Sequence, residues 1–306
     1  MKIRIWIALL AVYIIWGSTY LAIRYAVETI PPFIMAGTRF IIAGILLYTW
    51  RRLAGDPAPT PKQWRSTAII GLLLLLGGNG MVSWAEQTVP SGIAALLIGT
   101  IPLWMALTES LRRGGTKPGL LSILGLVAGF GGIVVLVWPL LTGNTSHLDP
   151  LGVIALLFAA FSWALGSVYS KSAPLPSTSL MTTAAEMLTG GIALYLVGGL
   201  TGEWKMLNLA TITPRSWLGL AYLTVFGSMG GFVAYAWLLR HAPISLASTY
   251  AYVNPLVAVL LGSLLAHELF NGRILVAALV IVVAVVLINY SRPAKVDISV
   301  AAPAAE

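Results

Sequence analysis

Residues 16–48 read WGSTYLAIRYAVETIPPFIMAGTRFIIAGILLY, and residues 163–195 read WALGSVYSKSAPLPSTSLMTTAAEMLTGGIALY. Placed one above the other without a gap, the two stretches match at tryptophan, basic, glycine and tyrosine positions: Trp16 with Trp163, Arg24 with Lys171, Gly44 with Gly191, and Tyr48 with Tyr195. A second run of matches follows after a six-residue insertion, from Gly77 and Gly230 to Pro102 and Pro255. The second half of the chain therefore repeats the first.

The amino-acid composition is that of a membrane protein. Hydrophobic residues make up 58% of the chain, charged residues make up 9%, and the mean hydropathy is +0.90, which leaves too little polar surface for a soluble domain. A hydrocarbon core of ~30 Å requires ~20 apolar residues per helix. We predict ten such helices, at residues 5–26, 33–50, 66–86, 91–111, 118–138, 151–170, 179–200, 216–238, 246–266 and 273–291.

Five crossings in each half place the second half upside down relative to the first, because an odd number of crossings reverses the direction of entry. Inverted repeats of this kind are typical of secondary transporters. We assign the first repeat to residues 1–140, a linker to 141–150, the second repeat to 151–291 and a disordered cytoplasmic tail to 292–306. The predicted fold is an all-α polytopic membrane protein of two inverted five-helix repeats.

The distribution of basic residues indicates the orientation in the membrane. Most of the 18 lysines and arginines fall at the two termini or in the even-numbered loops, and basic residues near helix ends mark the cytoplasmic side. We therefore predict that both termini are cytoplasmic. The net charge of +8 follows from the same bias, so the lipid bilayer is the expected partner and no nucleic acid is expected.

The sequence lacks the motifs of an enzyme or an ATP-driven pump. It has no cysteine and no Walker loop, His-Glu-x-x-His or Gly-x-Ser-x-Gly pattern, so we predict no catalytic residue, no metal site and no cofactor. A membrane enzyme acting on lipid and a non-transporting sensor are the alternatives. Measured substrate flux separates both from a carrier.

Aromatic and polar side chains inside membrane helices point to an interior that tolerates water and substrate. In the first helix, Tyr13, Trp16 and Tyr20 lie three and four residues apart, which places them on one face. They can stack on an apolar substrate, or they are packing residues and interface anchors. Trp163 takes the place of Trp16 in the second repeat, and the same two interpretations apply to it.

The ninth helix has the densest polar stretch, which runs from Ser245 to Asn254 and is interrupted by Pro255. A proline inside a helix frees the carbonyl four residues earlier, and this carbonyl can bind water or substrate. The alternative is a kink that only shapes the bundle. Pro102 occupies the equivalent position in the first repeat, so we expect both prolines to have a structural or gating role.

A charge at the centre of a bilayer costs ~2.5 to 3.5 kcal/mol on insertion scales. Only Arg39 and Glu186 fall well inside predicted helices, and the repeat superimposes them. We therefore expect an ion pair, or two symmetry-related polar contacts, that clamps the structure; a substrate site is the alternative. Glu86, Glu109 and Glu268 fall near helix ends, where lipid headgroups and water can solvate them.

Several local patterns occur in a fixed order along the ten helices. They include Trp16-Gly17-Ser18-Thr19-Tyr20, Arg39-Phe40, Gly78-Asn79-Gly80-Met81, Pro90-Ser91-Gly92-Ile93-Ala94-Ala95, Ser162-Trp163-Ala164-Leu165-Gly166-Ser167 and Ser248-Thr249-Tyr250-Ala251-Tyr252-Val253-Asn254-Pro255, followed by Glu268. In this order the chain resembles the EamA-domain branch of the drug/metabolite transporter superfamily, in particular the bacterial exporters typified by YedA and YddG. The first half departs from the family pattern, because the glutamate expected well after Pro102 is missing.

The resemblance implies a secondary exporter of small metabolites in a bacterial inner membrane, working by alternating access around a central cavity. Amino acids, including aromatic and hydrophobic ones, are the expected substrates, and drug-like compounds or nucleosides are the alternative. We expect a monomer to suffice for transport. The predicted cavity residues are Trp16, Ser18, Tyr20, Asn79, Trp163, Ser167, Tyr250, Tyr252 and Asn254.

Overall fold

The computed structural model describes residues 2–111, 119–142, 148–242, 249–268 and 271–290. These residues form eight helices that are long and apolar enough to cross a membrane and two shorter apolar helices. The ten helices are α1 (Lys2–Ala26), α2 (Pro32–Leu53), α3 (Pro61–Ala85), α4 (Ser91–Leu111), α5 (Leu120–Leu141), α6 (Pro150–Ser170), α7 (Ser179–Leu200), α8 (Pro214–Tyr222, Leu223–Gly230 and Gly231–His241 in succession), α9 (Tyr250–Ala266) and α10 (Gly272–Tyr290). The predicted all-α membrane fold is confirmed. The predicted tail at 292–306 lies outside the described residues.

Apolar side chains cover the outside of the bundle as well as its interior. Along α1, Ile3, Ile7, Leu10 and Ile14 are exposed at spacings of three and four residues, so they form one face of the helix. The opposite side of α1 carries Tyr13, Trp16 and Tyr20, which contact other helices. An apolar outer face with aromatic and polar groups turned inward suits a lipid surrounding.

The helices pack in a pattern that repeats the internal symmetry of the sequence. Three pairs of repeat-related helices contact each other directly: α2 with α7, α4 with α9, and α5 with α10. The first helix of each repeat packs on the third and fourth helices of the other repeat, so α1 contacts α8 and α9 while α6 contacts α3 and α4. The two halves are therefore interlocked, and each interface between α1 or α6 and its neighbours joins both repeats.

Both third helices contain a π-helical segment, Leu72–Gly80 in α3 and Leu223–Gly230 in α8. A glycine close to the end of each segment receives a tryptophan from the other half. A Cβ on Gly78 would lie 2.9 Å from Trp163 Cε3, and a Cβ on Gly231 would lie 2.7 Å from Trp16 Cδ1. Small residues allow this close approach in lipid, so these glycines have a packing role.

Two glutamates from distant loops cap helices that begin at the end of the bundle opposite Lys2. The Glu203 carboxylate accepts hydrogen bonds from the backbone N–H groups of Phe33 and Ile34 at the start of α2, both at 3.0 Å. Burial raises the pKa of Glu203, while the two backbone donors act in the opposite direction. Glu268 accepts hydrogen bonds from the backbone of Ser91 at 2.7 Å and of Gly92 at 2.9 Å. Each carboxylate satisfies helix N–H groups that have no partner within the helix.

Candidate functional site

Four aromatic rings from three helices form a cluster where the two repeats meet. Trp16 of α1 lies with its ring centroid 5.3 Å from Phe232, 5.2 Å from Tyr235 and 5.1 Å from Tyr250. The centroids of Tyr235 and Tyr250 are 5.3 Å apart. Edge-to-face and tilted contacts at these distances stabilise the arrangement beyond the area that they bury. We call Trp16, Phe232, Tyr235 and Tyr250 the aromatic cluster.

Polar contacts fix the aromatic cluster at its edges. The Trp16 Nε1–H donates to the backbone carbonyl of Gly227 at 3.2 Å, an acceptor in the π-helical part of α8. One turn along α1, the hydroxyl of Tyr13 is hydrogen-bonded to Thr249. A wide-open apolar groove runs between α1 and α8, lined by Ala8, Val225, Met229, Gly230, Val233, Ala234 and Trp237, and none of the four cluster rings lines it.

The structure places three of the predicted cavity residues away from the aromatic cluster. The Ser18 hydroxyl bonds the Ile14 carbonyl of its own helix at 2.6 Å and the Tyr222 hydroxyl at 2.7 Å. Ser167 donates to the Trp163 carbonyl one turn earlier in α6 at 2.8 Å. Trp163 itself packs against Gly78 of α3, on the side related to the aromatic cluster by the repeat. Their described contacts are those of helix packing.

Asn79 and Arg39 lie together in the interior. The Arg39 Nη2–H donates to the Asn79 Oδ1 at 3.2 Å, and the guanidinium carbon lies 4.2 Å from the centroid of the Phe40 ring. Arg39 is 4% exposed. The expected Arg39–Glu186 ion pair is wrong: the two helices pack closely, but Arg39 extends toward α3, and no ion pair joins it to Glu186 among the described residues. The sequence repeat matches the two positions without making them neighbours.

A second departure from expectation concerns the glutamates near helix ends. Glu86 is 1% exposed and neither of its carboxylate oxygens has a hydrogen-bond partner among the described residues. The side chain of Glu268 is 8% exposed and lies 3.6 Å from the Arg24 Nε. The expectation that lipid headgroups solvate these two carboxylates is therefore wrong. Both carboxylates are enclosed by the protein although they follow the ends of apolar helices.

Tyr20 connects the aromatic cluster to these charges. Its side chain lies in the neighbourhood of Glu86 and of Tyr250, and Glu86 in turn lies in the neighbourhood of Arg24, Glu268 and Arg39. Along α1, Trp16, Tyr20 and Arg24 follow one another at spacings of four residues, on the inward face. A continuous row of aromatic, hydroxyl and charged groups thus runs from the middle of α1 toward the end opposite Lys2.

The two repeat-related prolines lie close to the crossing of α4 and α9. The α4 helix is interrupted at residues 99 and 100, and Pro102 is the second residue of its continuation, Ile101–Leu111. Pro255 stands inside α9, and a Cβ on Gly99 would lie 2.9 Å from its Cγ. One proline thus follows a break in its helix while the other packs against that break. Their gating role stays a prediction.

Two predicted cavity residues of α9 remain. Asn254 is buried, and its Oδ1 has no hydrogen-bond partner among the described residues. The side chain of Tyr252 lies outside the described part of the chain, as does the polar stretch at residues 243–248. The sequence patterns do not single out Phe232, Tyr235, Arg24 or Glu86 as site residues. For Arg24 the signal was present, because it continues the four-residue spacing of Trp16 and Tyr20.

Known proteins share the sequence pattern of this chain. Two segments, residues 3–138 and 150–290, match the profile of the EamA-like transporter family. The chain belongs to this family. It is 44% identical over 292 residues to the uncharacterized inner membrane transporter YedA of Escherichia coli (strain K12), covering 94% of this chain and 92% of YedA. It is 27% identical to the chloroplastic WAT1-related protein At3g02690 of Arabidopsis thaliana, covering 93% of this chain and 69% of that protein.

A solved crystal structure shares the fold of this EamA-like protein. It is 18% identical, superimposes with a TM-score of 0.63, and the match covers 96% of this chain and 100% of the other. Family membership makes the chain a membrane transporter and not an enzyme, as the sequence predicts. The identity of the small-molecule substrate has to be inferred from the site.

Proposed function

We propose that this EamA-like protein exports small metabolites, in particular amino acids with hydrophobic or aromatic side chains, by secondary transport. The observation that carries the proposal is the aromatic cluster. It is built from α1 of the first repeat and from α8 and α9 of the second, so it lies on the surface along which the two halves move in alternating access. The clustered rings offer an apolar substrate favourable contacts without demanding one side-chain shape.

Alternating access requires interfaces that separate on one side of the membrane while they close on the other. The pair α4 and α9 crosses near Pro255 and the break at Gly99, where a helix has already lost part of its hydrogen-bond ladder. The α5 and α10 pair packs at a distance from the aromatic cluster and can remain fixed. We infer that repeats 1–140 and 151–291 rock about the crossing of α4 and α9, with both termini on the cytoplasmic side of an inner membrane.

The test is efflux from proteoliposomes preloaded with a panel of labelled amino acids, with and without a proton gradient. Efflux of a hydrophobic amino acid that does not need ATP is the expected result. Gradient-independent efflux identifies a facilitative exporter. Absence of flux for every amino acid would refute the proposed substrate class and leave drug-like compounds or nucleosides as the class to examine.

A matched pair of variants tests the site. Trp16→Ala removes the ring at the centre of the aromatic cluster, so we expect export to fall at least ~10-fold while the protein still inserts in the membrane. Trp138→Ala is the control, because Trp138 is 54% exposed on the outer surface of α5 and its loss changes only a lipid contact. Equal export by both variants would exclude the aromatic cluster as the substrate site.

A further inference from the structure

Arg39 and Glu86 are a basic and an acidic side chain that are both buried and are not paired with each other. A guanidinium has five N–H donors, and Arg39 uses one nitrogen, Nη2, to donate to Asn79. Its Nε and Nη1 have no acceptor among the described residues, although Arg39 is 4% exposed. The Arg39 side chain therefore has hydrogen-bonding capacity left over inside the protein.

Glu86 is in the complementary situation. Both carboxylate oxygens are buried without a hydrogen-bond partner among the described residues. The main chain of Arg24 approaches the carboxylate, but without the geometry of a hydrogen bond. The guanidinium of Arg24 lies instead 3.6 Å from Glu268, which also caps α4. The Arg24 cation is thus engaged by another carboxylate.

The remaining cation near Glu86 is Arg39, and the two groups interact electrostatically. They form no ion pair, since no nitrogen of Arg39 comes within 4.0 Å of a Glu86 oxygen. Leaving a buried ionisable group without a partner costs free energy, whether the group stays charged or is neutralised. Arg39 and Glu86 are therefore two buried and incompletely hydrogen-bonded groups that a ligand with both an acidic and a basic group would satisfy.

We propose that Arg39 and Glu86 bind the two charged groups of an α-amino acid, with Arg39 holding the carboxylate and Glu86 the ammonium group. This inference rests on the proposed function and specifies how its substrate is recognised. A plain anion or a plain cation satisfies only one of the two residues, whereas a zwitterion satisfies both. Guanidinium groups bind carboxylates through two parallel hydrogen bonds, and Asn79 orients Arg39 for that contact.

The surroundings of the two residues suit the rest of such a substrate. Tyr20 lies in the neighbourhood of both Glu86 and Tyr250 of the aromatic cluster. Phe232 belongs to the cluster and also packs against the apolar side chains around Phe40. The side chain of an amino acid held at Arg39 and Glu86 therefore points toward aromatic surface. Both residues are closed off in this conformation, so binding follows an opening of the bundle, as alternating access requires.

The experiment compares the binding of several ligand analogues to the wild type and to variants of Arg39 and Glu86. The analogues are those of the amino acid that the wild type exports; for phenylalanine they are phenylalaninamide, which keeps the ammonium group, and N-acetylphenylalanine, which keeps the carboxylate. Binding to the purified protein is measured by ligand-induced thermal stabilisation for the wild type, Glu86→Gln and Arg39→Gln. We expect the wild type to bind phenylalanine about 100-fold more tightly than either analogue.

In Glu86→Gln, phenylalanine should bind about 100-fold more weakly while N-acetylphenylalanine binds as it does to the wild type. In Arg39→Gln, phenylalanine should weaken to the level of phenylalaninamide. Such non-additive losses show a direct contact, because a residue with only a structural role weakens all three ligands alike. Arg215→Gln and Glu28→Gln are the matched controls, since these residues form an exposed pair at 3.5 Å on the same end of the bundle.

Additive losses would overturn the inference while leaving the proposed function intact, provided that the wild type exports amino acids. Loss of proton-gradient dependence in Glu86→Gln with unchanged selectivity would also overturn it, because Glu86 would then carry a proton. If the wild type neither binds nor exports any amino acid, both proposals fail. Should Arg39→Gln not fold, Arg39→Lys and Glu86→Asp repeat the cycle, and both are expected to keep the preference for the zwitterion over its analogues.

Discussion

Gly231→Ala places a single methyl group against the centre of the aromatic cluster. The added Cβ would lie 2.7 Å from Trp16 Cδ1 and would overlap with Trp16 Nε1. The indole cannot move away freely, because it packs against three other rings and donates to the Gly227 carbonyl at 3.2 Å. The neighbouring Gly230→Ala is the natural control. Its Cβ would meet only the Val225 carbonyl at 3.5 Å and Ile15 Cδ1 at 3.9 Å, which are ordinary contacts.

Three effects determine how much Gly231→Ala changes the free energy of unfolding. Overpacking a filled interior destabilises by ~1 to 3 kcal/mol, and loss of the Trp16–Gly227 hydrogen bond adds about 1 kcal/mol. The exchange of glycine for alanine in a helix returns up to about 1 kcal/mol. We therefore expect Gly231→Ala to be less stable than the wild type by roughly 1 to 3 kcal/mol. Gly230→Ala should be unchanged or more stable by up to about 1 kcal/mol.

Thermal unfolding of the purified proteins in detergent measures the difference, and proteoliposome efflux measures its consequence for transport. A smaller ring should relieve the clash, so the double variant Trp16→Phe with Gly231→Ala should be more stable than the sum of the single effects predicts. If Gly231→Ala unfolds at the same temperature as Gly230→Ala and exports normally, Trp16 is not held as the structure describes, and the reasoning about the aromatic cluster is wrong.

Two further predictions concern the capping glutamates. Because burial raises the pKa of Glu203 above 4.5, the folded state binds this proton more tightly than the unfolded chain; stability should therefore rise as the pH is lowered from neutral toward 4.5, and less so in Glu203→Gln, as thermal unfolding at a series of pH values would show. Glu268→Ala removes the cap of α4 and leaves Arg24 without its carboxylate, so we expect a loss of ~2 to 4 kcal/mol in unfolding free energy. Glu28→Ala, which breaks an exposed ion pair at 3.5 Å, should change stability by less than ~1 kcal/mol, and a similar loss in both variants would contradict the role of the cap.

The architecture followed from the sequence because lipid imposes a simple rule. Every backbone polar group inside a bilayer needs a partner within the protein, so a run of ~20 apolar residues must be a helix. The predicted spans at 91–111 and 179–200 coincide with α4 and α7. The repeat added symmetry, and the equivalent contacts of Trp16 with Gly231 and Trp163 with Gly78 confirm it at the level of side chains.

The site was only partly visible in the sequence, since a repeat shows which residues are equivalent but not which are adjacent. Arg39 and Glu186 are equivalent, yet Arg39 reaches Asn79, forty residues away on α3. Trp16 and Trp163 are equivalent, yet only Trp16 joins a described aromatic cluster, because Phe232, Tyr235 and Tyr250 have no aromatic counterparts around Trp163 in the described rings.

Position along a helix likewise gave the wrong answer for Glu86 and Glu268. Both follow the end of an apolar run, which in sequence suggests solvation by headgroups. In the folded protein the two carboxylates are buried, Glu268 beside Arg24 and Glu86 near Arg24 and Arg39. The helices and their number are local properties that hydrophobicity determines by itself, and the repeat follows from matching residues along the chain. The unpaired charges and the aromatic cluster depend on which helices meet, and only the tertiary packing of the two halves decides that.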